Sequence, residues 1–355
     1  MDDYLSINLI DHAKHLFPIC RSLTGEGVRK TLDYFEYFHK ELKRFRIRTG
    51  EKVYDWEIPL EWNIKDAYIE NLETGKRYAE FKKNNLHVVG YSEPINLELN
   101  LTKLSEKIYT LNYQEDWIPY ITSYYKKDWG FCLSEQEKNK LPEGNYKVLI
   151  DSSLKEGFLE YSSALIKGKS KKEILFTSYI CHPSMANNEI SGPVVLNAIL
   201  DYIKKEYKSP IYSYRFALTP ETIGSIAYIK KFEKQLRKNV ICGFNLSCVG
   251  DERGYSFVQT PYNNTIADSA LRASLIGKEN AKEYTYLDRG SDERQYCSPG
   301  VELPLCTFCK SKFGEYPEYH TSADNFDLVT DKGLNDSFEL MKTIVDCFEL
   351  GLKPS

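Results

Sequence analysis

The feature that most limits the possible folds is an alternation of apolar strand patterns with periodic helical patterns after about residue 145. Runs rich in β-branched residues at 146–154 and 173–180 are typical of strands buried in a central sheet. Residues 192–207 then show the periodicity of a helix, and further strand and helix patterns follow. This alternation predicts an α/β fold in which a mixed, mostly parallel sheet is flanked by helices.

The first 145 residues have a different texture. Residues 5–46 carry helical periodicity that is interrupted by a polar turn at 21–27, and residues 28–45 are predicted to form one amphipathic helix. From about residue 52 to 145, short alternating runs separated by Gly, Pro and Asn indicate mainly β-structure. We therefore predict two domains, an α/β domain formed by residues 1–48 and 146–355 and a β-rich domain inserted at 49–145.

Composition excludes several classes of function. The chain has 355 residues and a formal net charge of −4 at pH 7, and no basic stripe interleaved with aromatic residues predicts nucleic-acid binding. No apolar run of about 18 residues predicts a membrane span, and the acidic, amphipathic amino terminus is unlike a signal peptide. We expect a cytoplasmic protein whose nine cysteines are reduced and mostly buried. No pattern predicts its oligomeric state.

Two of the six histidines lie in polar segments that follow strand patterns. His182 comes directly after the strand pattern at 173–180 and begins a polar loop that leads into a helix. His320 lies in the polar segment 314–325, just before the last helix. Because open α/β sheets assemble their sites at the carboxyl ends of parallel strands, these two segments predict a metal or catalytic site.

Two further polar segments are candidates for the site, and the first lies where a strand pattern meets a helix pattern. Glu221 follows a buried strand pattern and could belong to the same site. The alternative is that it only caps the helix that follows, where a negative charge is favourable. The loop at 288–295 is dense in charged residues. Its alternative interpretation is a surface turn with local ion pairs.

Five ungapped motifs resemble a known family. They are RSLTGEGVR (21–29), YICHPSMANNEISGP (179–193), TPETIGS (219–225), GSDERQYCSPG (290–300) and EYPEYHTSADN (315–325). Their order and their positions after strands resemble the aminopeptidase branch of the zinc exopeptidase superfamily. More narrowly, they resemble a bacterial and archaeal family of aminopeptidase-like proteins of uncertain activity. Its members have an inserted β-rich domain, often a carboxyl-terminal winged helix, and sometimes genes in surface-polysaccharide loci; here the winged helix is expected to be absent.

The resemblance implies roles for individual residues. His182 and His320 fall on the first and last zinc-binding histidines of the two-zinc aminopeptidases. Glu221 falls on the general base that takes a proton from the attacking water. Asp292 falls on a residue that helps to shape the substrate pocket.

Three carboxylate positions of the family are neutral in this chain, namely Asn188, Thr222 and Ser247. Two adjacent zinc ions need several anionic ligands to offset their repulsion, so the resemblance here implies one zinc ion more readily than two. We expect this ion to be held by His182, His320 and an oxygen from either Asn188 or Glu189. Three protein ligands with water in the open position are the usual catalytic arrangement.

Charged and aromatic residues near these motifs are expected to form the substrate wall. A guanidinium suits a substrate carboxylate, whereas acidic residues suit a free α-amino group. The alternative is that these charges only pair with one another. The expected substrate-binding residues are Arg21, Arg289, Asp292, Glu293, Arg294, Glu318 and Tyr319.

Three functions follow from the resemblance. The first is a zinc-dependent amide hydrolase of aminopeptidase type, which acts on a short peptide or an amino-acyl conjugate. The second is zinc-dependent acyl transfer or amidohydrolysis on an amino-sugar intermediate of surface-polysaccharide biosynthesis. The third is a non-catalytic binding module on a scaffold that has lost metal ligands.

Overall fold

The computed structural model of the protein describes residues 3–351. Their strands are β1 (Lys43–Arg48), β2 (Lys52–Val53), β3 (Trp56–Glu57), β4 (Glu61–Asn71), β5 (Arg77–Tyr78), β6 (Ile95–Asn100), β7 (Ile108–Tyr109), β8 (Phe131–Cys132), β9 (Asn145–Lys155), β10 (Phe158–Ile166), β11 (Glu173–Tyr179), β12 (Ser213–Thr219), β13 (Val240–Leu246), β14 (Tyr255–Val258), β15 (Ala281–Tyr284) and β16 (Leu305–Cys309).

The same residues form α-helices, short 3-10 helices and one π-helical turn. The α-helices are α1 (Leu9–Leu16), α2 (Glu26–Phe38), α3 (Leu101–Ser105), α4 (Glu135–Asn139), α5 (Ser191–Glu206), α6 (Ile223–Asn239), α7 (Ile266–Leu275), α8 (Glu293–Tyr296) and α9 (Asp331–Leu350). The 3-10 helices are Tyr4–Ser6, Asn85–His87 and Tyr286–Asp288, and the π-helical turn is Ala186–Ile190.

An eight-stranded mixed sheet forms the centre of the molecule, in the order β1-β10-β12-β11-β13-β16-β14-β15. The four inner strands β12, β11, β13 and β16 are parallel to one another. The strands β10 and β1 on one side, and β14 on the other, join by antiparallel pairing. This architecture confirms the predicted fold class.

Both faces of this sheet are covered, which explains why its inner strands are apolar throughout. Along β11, Ile174 and Phe176 belong to a buried cluster shared with α1, α5, α7 and α9. Leu175, which points to the opposite face, belongs to a second cluster shared with α6. A sheet buried on both faces needs apolar residues at every position, so continuous runs replace simple alternation.

A second, four-stranded antiparallel sheet has the order β5-β4-β9-β6. It has a buried cluster of its own that includes Ile69, Phe131 and Val148. Its strand β9 continues to Lys155, beyond the boundary at residue 145 that the sequence texture suggests. The division of the chain into two domains stays a prediction.

The predicted helix at 28–45 is shorter in the structure. The helix α2 ends at Phe38, and the residues from Lys43 form the edge strand β1, which pairs with β10. Phe45 and Ile47 point into the sheet cluster on one side of this strand. The spacing of these apolar residues fits both a helix and a strand, and pairing with β10 decides between them.

The cysteines agree with the sequence-based expectation. All nine are free thiols, and seven of them are buried. Cys306 and Cys309 both lie in β16, as expected for two side chains of a strand. Among residues 3–351, each helix is too short or too polar to cross a membrane.

We predict that His39 makes the fold sensitive to acid. Its side chain is fully buried, and neither ring nitrogen has a hydrogen-bond partner among the described residues. Burial lowers the pKa of His39 to about 3. Because the folded pKa lies below the unfolded value of about 6.5, the unfolded state binds a proton more readily than the folded state. The free energy of unfolding therefore falls by about 1.4 kcal/mol per pH unit as the pH drops below about 6.5.

Urea unfolding at pH 7, 6 and 5 tests this expectation. The His39→Leu variant should lose less stability between pH 6 and 5 than the parent protein, by about 1 kcal/mol. His15→Leu is the matched control because His15 is exposed on α1. Equal pH dependence of the parent and the His39 variant would contradict the assignment.

Candidate active site

Polar side chains collect at the edge of the sheet where the parallel inner strands end. His182 follows β11, Glu221 follows β12, and Ser247 follows β13. The segment after β16 leads to His320 before α9 begins. Because these strands are parallel, their carboxyl ends share one edge, and residues distant in sequence meet there.

His182 is fixed by a buried carboxylate. Its Nδ1 lies 2.8 Å from Oε2 of Glu189, whose Oε1 lies 3.4 Å from Nε of Arg21. Burial lowers the pKa of His182 to about 3 and raises the pKa of Glu189 to about 8, and Arg21 opposes the second shift. The imidazole is therefore neutral, and in the tautomer that donates from Nδ1 to Glu189, Nε2 keeps a lone pair.

Glu221 faces that free nitrogen. Its Oε2 lies 3.6 Å from Nε2 of His182, and its side chain keeps 22% of its surface exposed. Burial, followed by the nearby charge of Asp292, raises the pKa of Glu221 well above its ordinary value. A partly accessible carboxyl group with a raised pKa is suited to accept and return a proton.

The turn that carries Glu221 is strained. Thr222 has a φ of 62°, which is unfavourable for a β-branched residue. Its backbone N–H donates to Oδ1 of Asp292 over 2.8 Å, and Ser225 donates to the same oxygen over 3.0 Å. Strained backbone that its neighbours hold in place is common at functional sites.

His320 completes a pair of imidazoles. The ring centroids of His182 and His320 lie 5.5 Å apart, and Tyr319 stacks on His320 at 3.9 Å. Burial, followed by the charge of His182, lowers the pKa of His320 to about 3. Its Nε2 is buried without a hydrogen-bond partner among the described residues. The structure therefore brings together the three residues on which the sequence-based prediction depended.

The sequence reasoning missed a tyrosine that touches both imidazoles. The ring centroid of Tyr120 lies 5.2 Å from that of His182 and 5.1 Å from that of His320. Its backbone N–H donates to the carbonyl oxygen of His320, and its hydroxyl lies 3.0 Å from that of Tyr124. The density of aromatic residues at 117–125 is the one sequence feature that marks this segment.

Asn188 and Ser247, which stand where the resemblance to two-zinc aminopeptidases implied carboxylates, form hydrogen bonds between uncharged groups. The Nδ2 of Asn188 donates to the hydroxyl of Tyr179 over 2.6 Å, and that hydroxyl lies 2.5 Å from Oγ of Ser247. The Oδ1 of Asn188 is buried without a partner in the described part of the chain. Asp324, a residue that the sequence reasoning did not select, accepts hydrogen bonds from the backbone of Asn187 and Asn188.

The expected substrate wall is divided between the site and other contacts. Asp292 is buried beside Thr222, and its Oδ2 lacks a partner among the described residues. The guanidinium of Arg294 reaches Oγ1 of Thr222 over 3.4 Å. These two residues therefore adjoin Glu221.

Four other residues that were expected to bind substrate form contacts with other parts of the protein. Glu293 is buried and accepts hydrogen bonds from the backbone of its own loop, and Arg289 lies over the ring of Tyr286. Glu318 binds Arg253 through both carboxylate oxygens. Arg21 is 1% exposed, so it supports Glu189 from behind.

Two groups of side chains at this edge contain metal-binding residue types. Among the His, Cys, Asp and Glu residues of 3–351, one group of three has its possible ligand atoms within 4.8 Å of one another. It consists of Cys181, His182 and Glu189. The guanidinium of Arg21 lies against Glu189, so a cation already balances this group. Nε2 of His182 lies 3.6 Å from Oε2 of Glu221, and Nε2 of His320 is buried without a hydrogen-bond partner among the described residues. Imidazole nitrogens are ligands that suit zinc.

A cavity of about 200 Å³ opens onto this side of His182. It is lined by polar groups of the site and by aromatic residues from the part of the chain before β9. Its lining consists of Leu23, Trp56, Tyr124, Tyr125, Cys181, His182, Glu221, Thr222 and Ile223. The arrangement can seat a small molecule beside the imidazoles.

Comparison with known proteins places the chain in a family. The model of a family described as "Domain of unknown function (DUF4910)" matches residues 10–351. The chain belongs to this family. A protein of Clostridium acetobutylicum, named for polysaccharide biosynthesis and an aminopeptidase-like domain, is 41% identical over 345 residues, or 96% of this chain and 77% of that protein.

Solved structures agree with this assignment. A structure from Clostridium acetobutylicum, provisionally named a peptidase, is 40% identical, with a TM-score of 0.92 over 96% of this chain and 80% of that chain. The zinc aminopeptidase BSAP of Bacillus subtilis is 13% identical, with a TM-score of 0.68 over 97% of this chain and 93% of that chain. The second likeness shows the fold alone. The predicted relationship to aminopeptidase-like proteins is confirmed, and together these findings support a peptidase-like function.

Proposed function

We propose that the protein is a zinc-dependent amide hydrolase of aminopeptidase type that acts on a short peptide or an amino-acyl conjugate. The observation that carries the proposal is the meeting of His182, His320 and Glu221 at one sheet edge, beside a cavity. Burial of two neutral imidazoles beside a carboxyl group of raised pKa costs stability, and groups with such shifted pKa values cluster at functional sites.

One zinc ion fits this donor set better than two. His182 and His320 would hold it through Nε2, and the unpartnered Oδ1 of Asn188 is the third candidate ligand. Glu189 is instead bound to Nδ1 of His182, where it orients the ring. When bound, the ion would supply Lewis acidity toward a carbonyl oxygen and toward water. Thr222 and Ser247 offer no charge for a second ion.

The remaining chemistry falls to this chain's own groups. Glu221 would remove a proton from the water that attacks the amide carbon, and would pass it to the nitrogen as the C–N bond breaks. Products are then a carboxylic acid and a free amine. The rings of Tyr120 and Tyr319 pack around the imidazoles and limit the entry of other water.

A second candidate is the hydrolysis of an amide on an amino sugar. The name of the Clostridium acetobutylicum relative includes polysaccharide biosynthesis. The aromatic walls formed by Trp56, Tyr124 and Tyr125 suit the flat face of a sugar ring as well as an apolar side chain. Amino-acyl p-nitroanilides and N-acetylated amino sugars, assayed side by side, separate the two candidates. Activity on neither class at any zinc concentration would count against both.

We predict that removing either imidazole abolishes stoichiometric zinc binding. Calorimetric titration of metal-free protein with zinc chloride should show one strong site, and His182→Ala or His320→Ala should weaken it by about 100-fold or more. His15→Ala is the control because His15 is exposed on α1. Unchanged zinc affinity in both site variants would rule out the proposed ligands.

A further inference from the structure

A second cavity, of about 520 Å³, lies beside the strands β14 and β15 and the segment after β16. It shares no lining residue with the cavity at Glu221. Its charged lining consists of four cationic residues and one carboxylate: Arg253, Lys282, Lys310, Lys312 and Glu315. The whole chain has a net charge of −4, so this surface is opposite in sign to the molecule.

Two of these four positive charges lack a carboxylate partner among the described residues. Among the described residues, no carboxylate lies within 4.0 Å of the ammonium of Lys282 or Lys312. The one carboxylate of the lining, Glu315, accepts a hydrogen bond from the hydroxyl of Tyr284. Arg253, in contrast, binds Glu318. The cavity therefore has an excess of positive charge.

Lys310 is the most unusual member of the set. Its side chain is 1% exposed, and its ammonium lies 3.6 Å from the centroid of the Tyr255 ring. Its carboxylate partner, Asp336, is 3.5 Å away and binds Lys332 more closely, at 2.6 Å. Burial lowers the pKa of Lys310. A buried cation that shares its counter-ion attracts a further anion.

We propose that this cavity binds the diphosphate group of a small molecule. Two phosphoryl groups present several charged oxygens to the three lysines that line the cavity, Lys282, Lys310 and Lys312, and an ammonium serves as a point charge for phosphate. A single carboxylate would offset only one of the three. The volume lies in the range of pockets that hold a whole ligand, so there is room for a ring attached to the diphosphate.

Calorimetry with inorganic pyrophosphate and with UDP tests the proposal without any assay of hydrolysis. Both probes should bind, and Lys282→Ala/Lys312→Ala should raise their Kd by about tenfold or more, because each lysine supplies a charge-assisted contact. The control Lys169→Ala/Lys171→Ala removes the same charge from an exposed turn before β11, and should change Kd by less than about twofold.

The comparison of probes also identifies the source of the diphosphate. Tighter binding of UDP than of pyrophosphate indicates a diphosphate ester, and equal binding indicates the free diphosphate. Three results would overturn the proposal: no heat from either probe, equal loss of affinity in the control variant, or equally tight binding of citrate, a polyanion without phosphorus. Because no variant touches His182, Glu221 or His320, failure here leaves the hydrolase proposal untouched.

Discussion

Replacement of Glu221 by Gln should lower kcat on an amino-acyl substrate by about 10²- to 10⁴-fold, which is the usual contribution of a general base. Glutamine preserves the shape of the side chain but cannot take a proton. The carboxyl group of Glu221 lies 3.6 Å from Nε2 of His182 and opens onto the cavity, so the loss should fall on the chemical step. KM should change little if substrate binding depends on the cavity walls.

Zinc content separates two roles for the same residue. If Glu221 acts as a base, the Glu221→Gln variant should bind zinc as tightly as the parent protein in the calorimetric titration. Loss of zinc together with activity would make Glu221 a ligand instead. Glu206→Gln, at an exposed position at the end of α5, is the matched control and should leave kcat unchanged. Full activity of Glu221→Gln would rule out Glu221 as the general base.

The meeting of His182, Glu221 and His320 could be predicted from sequence because of a general property of parallel sheets. His182 and Glu221 each follow a buried strand pattern, and His320 lies in a polar segment between the last strand and the last helix. Parallel strands end at one edge, so their meeting required no knowledge of loop conformation. Residues that reach this edge from another part of the chain do not follow a parallel strand, so this property does not identify them.

Tyr120 shows that limit. It lies in the segment before β9, far from the strands that form the site, and reaches His320 through one backbone bridge between Pro119 and Thr321. No local pattern encodes a bridge between segments so distant in sequence. The role of Glu189 also depends on a residue distant in sequence. Arg21, in the turn before α2, lies against its carboxyl group, and Glu189 contacts His182.

The strand β1 was missed for a different reason. Residues 28–45 have apolar spacing that fits a helix, yet the helix α2 ends at Phe38 and β1 follows. Local sequence leaves both conformations open, and the free edge of β10 selects the strand. Tertiary pairing overrides weak local preference in such cases.

The largest effect on stability is expected at the buried pair behind His182. Above a pH of about 8, where Glu189 is ionised, Arg21→Met should lower the free energy of unfolding by about 3–5 kcal/mol, because it leaves that carboxylate buried without its cation. Both side chains are 1% exposed. Arg21 also donates hydrogen bonds to the carbonyl oxygens of Leu16 and His182, so its loss frees these acceptors too.

A double-mutant cycle isolates the pair from these other contacts. Urea unfolding of metal-free protein gives the four free energies, and removal of zinc keeps ligand binding from contributing to stability. Arg21→Met/Glu189→Gln should recover a large part of the loss, because no uncompensated charge is then buried. The exposed pair Arg48–Glu156 is the control cycle, where a coupling below about 1 kcal/mol is expected. If Arg21 and Glu189 couple no more strongly than that surface pair, the carboxylate is not held by the guanidinium, and Glu189 returns as a candidate zinc ligand.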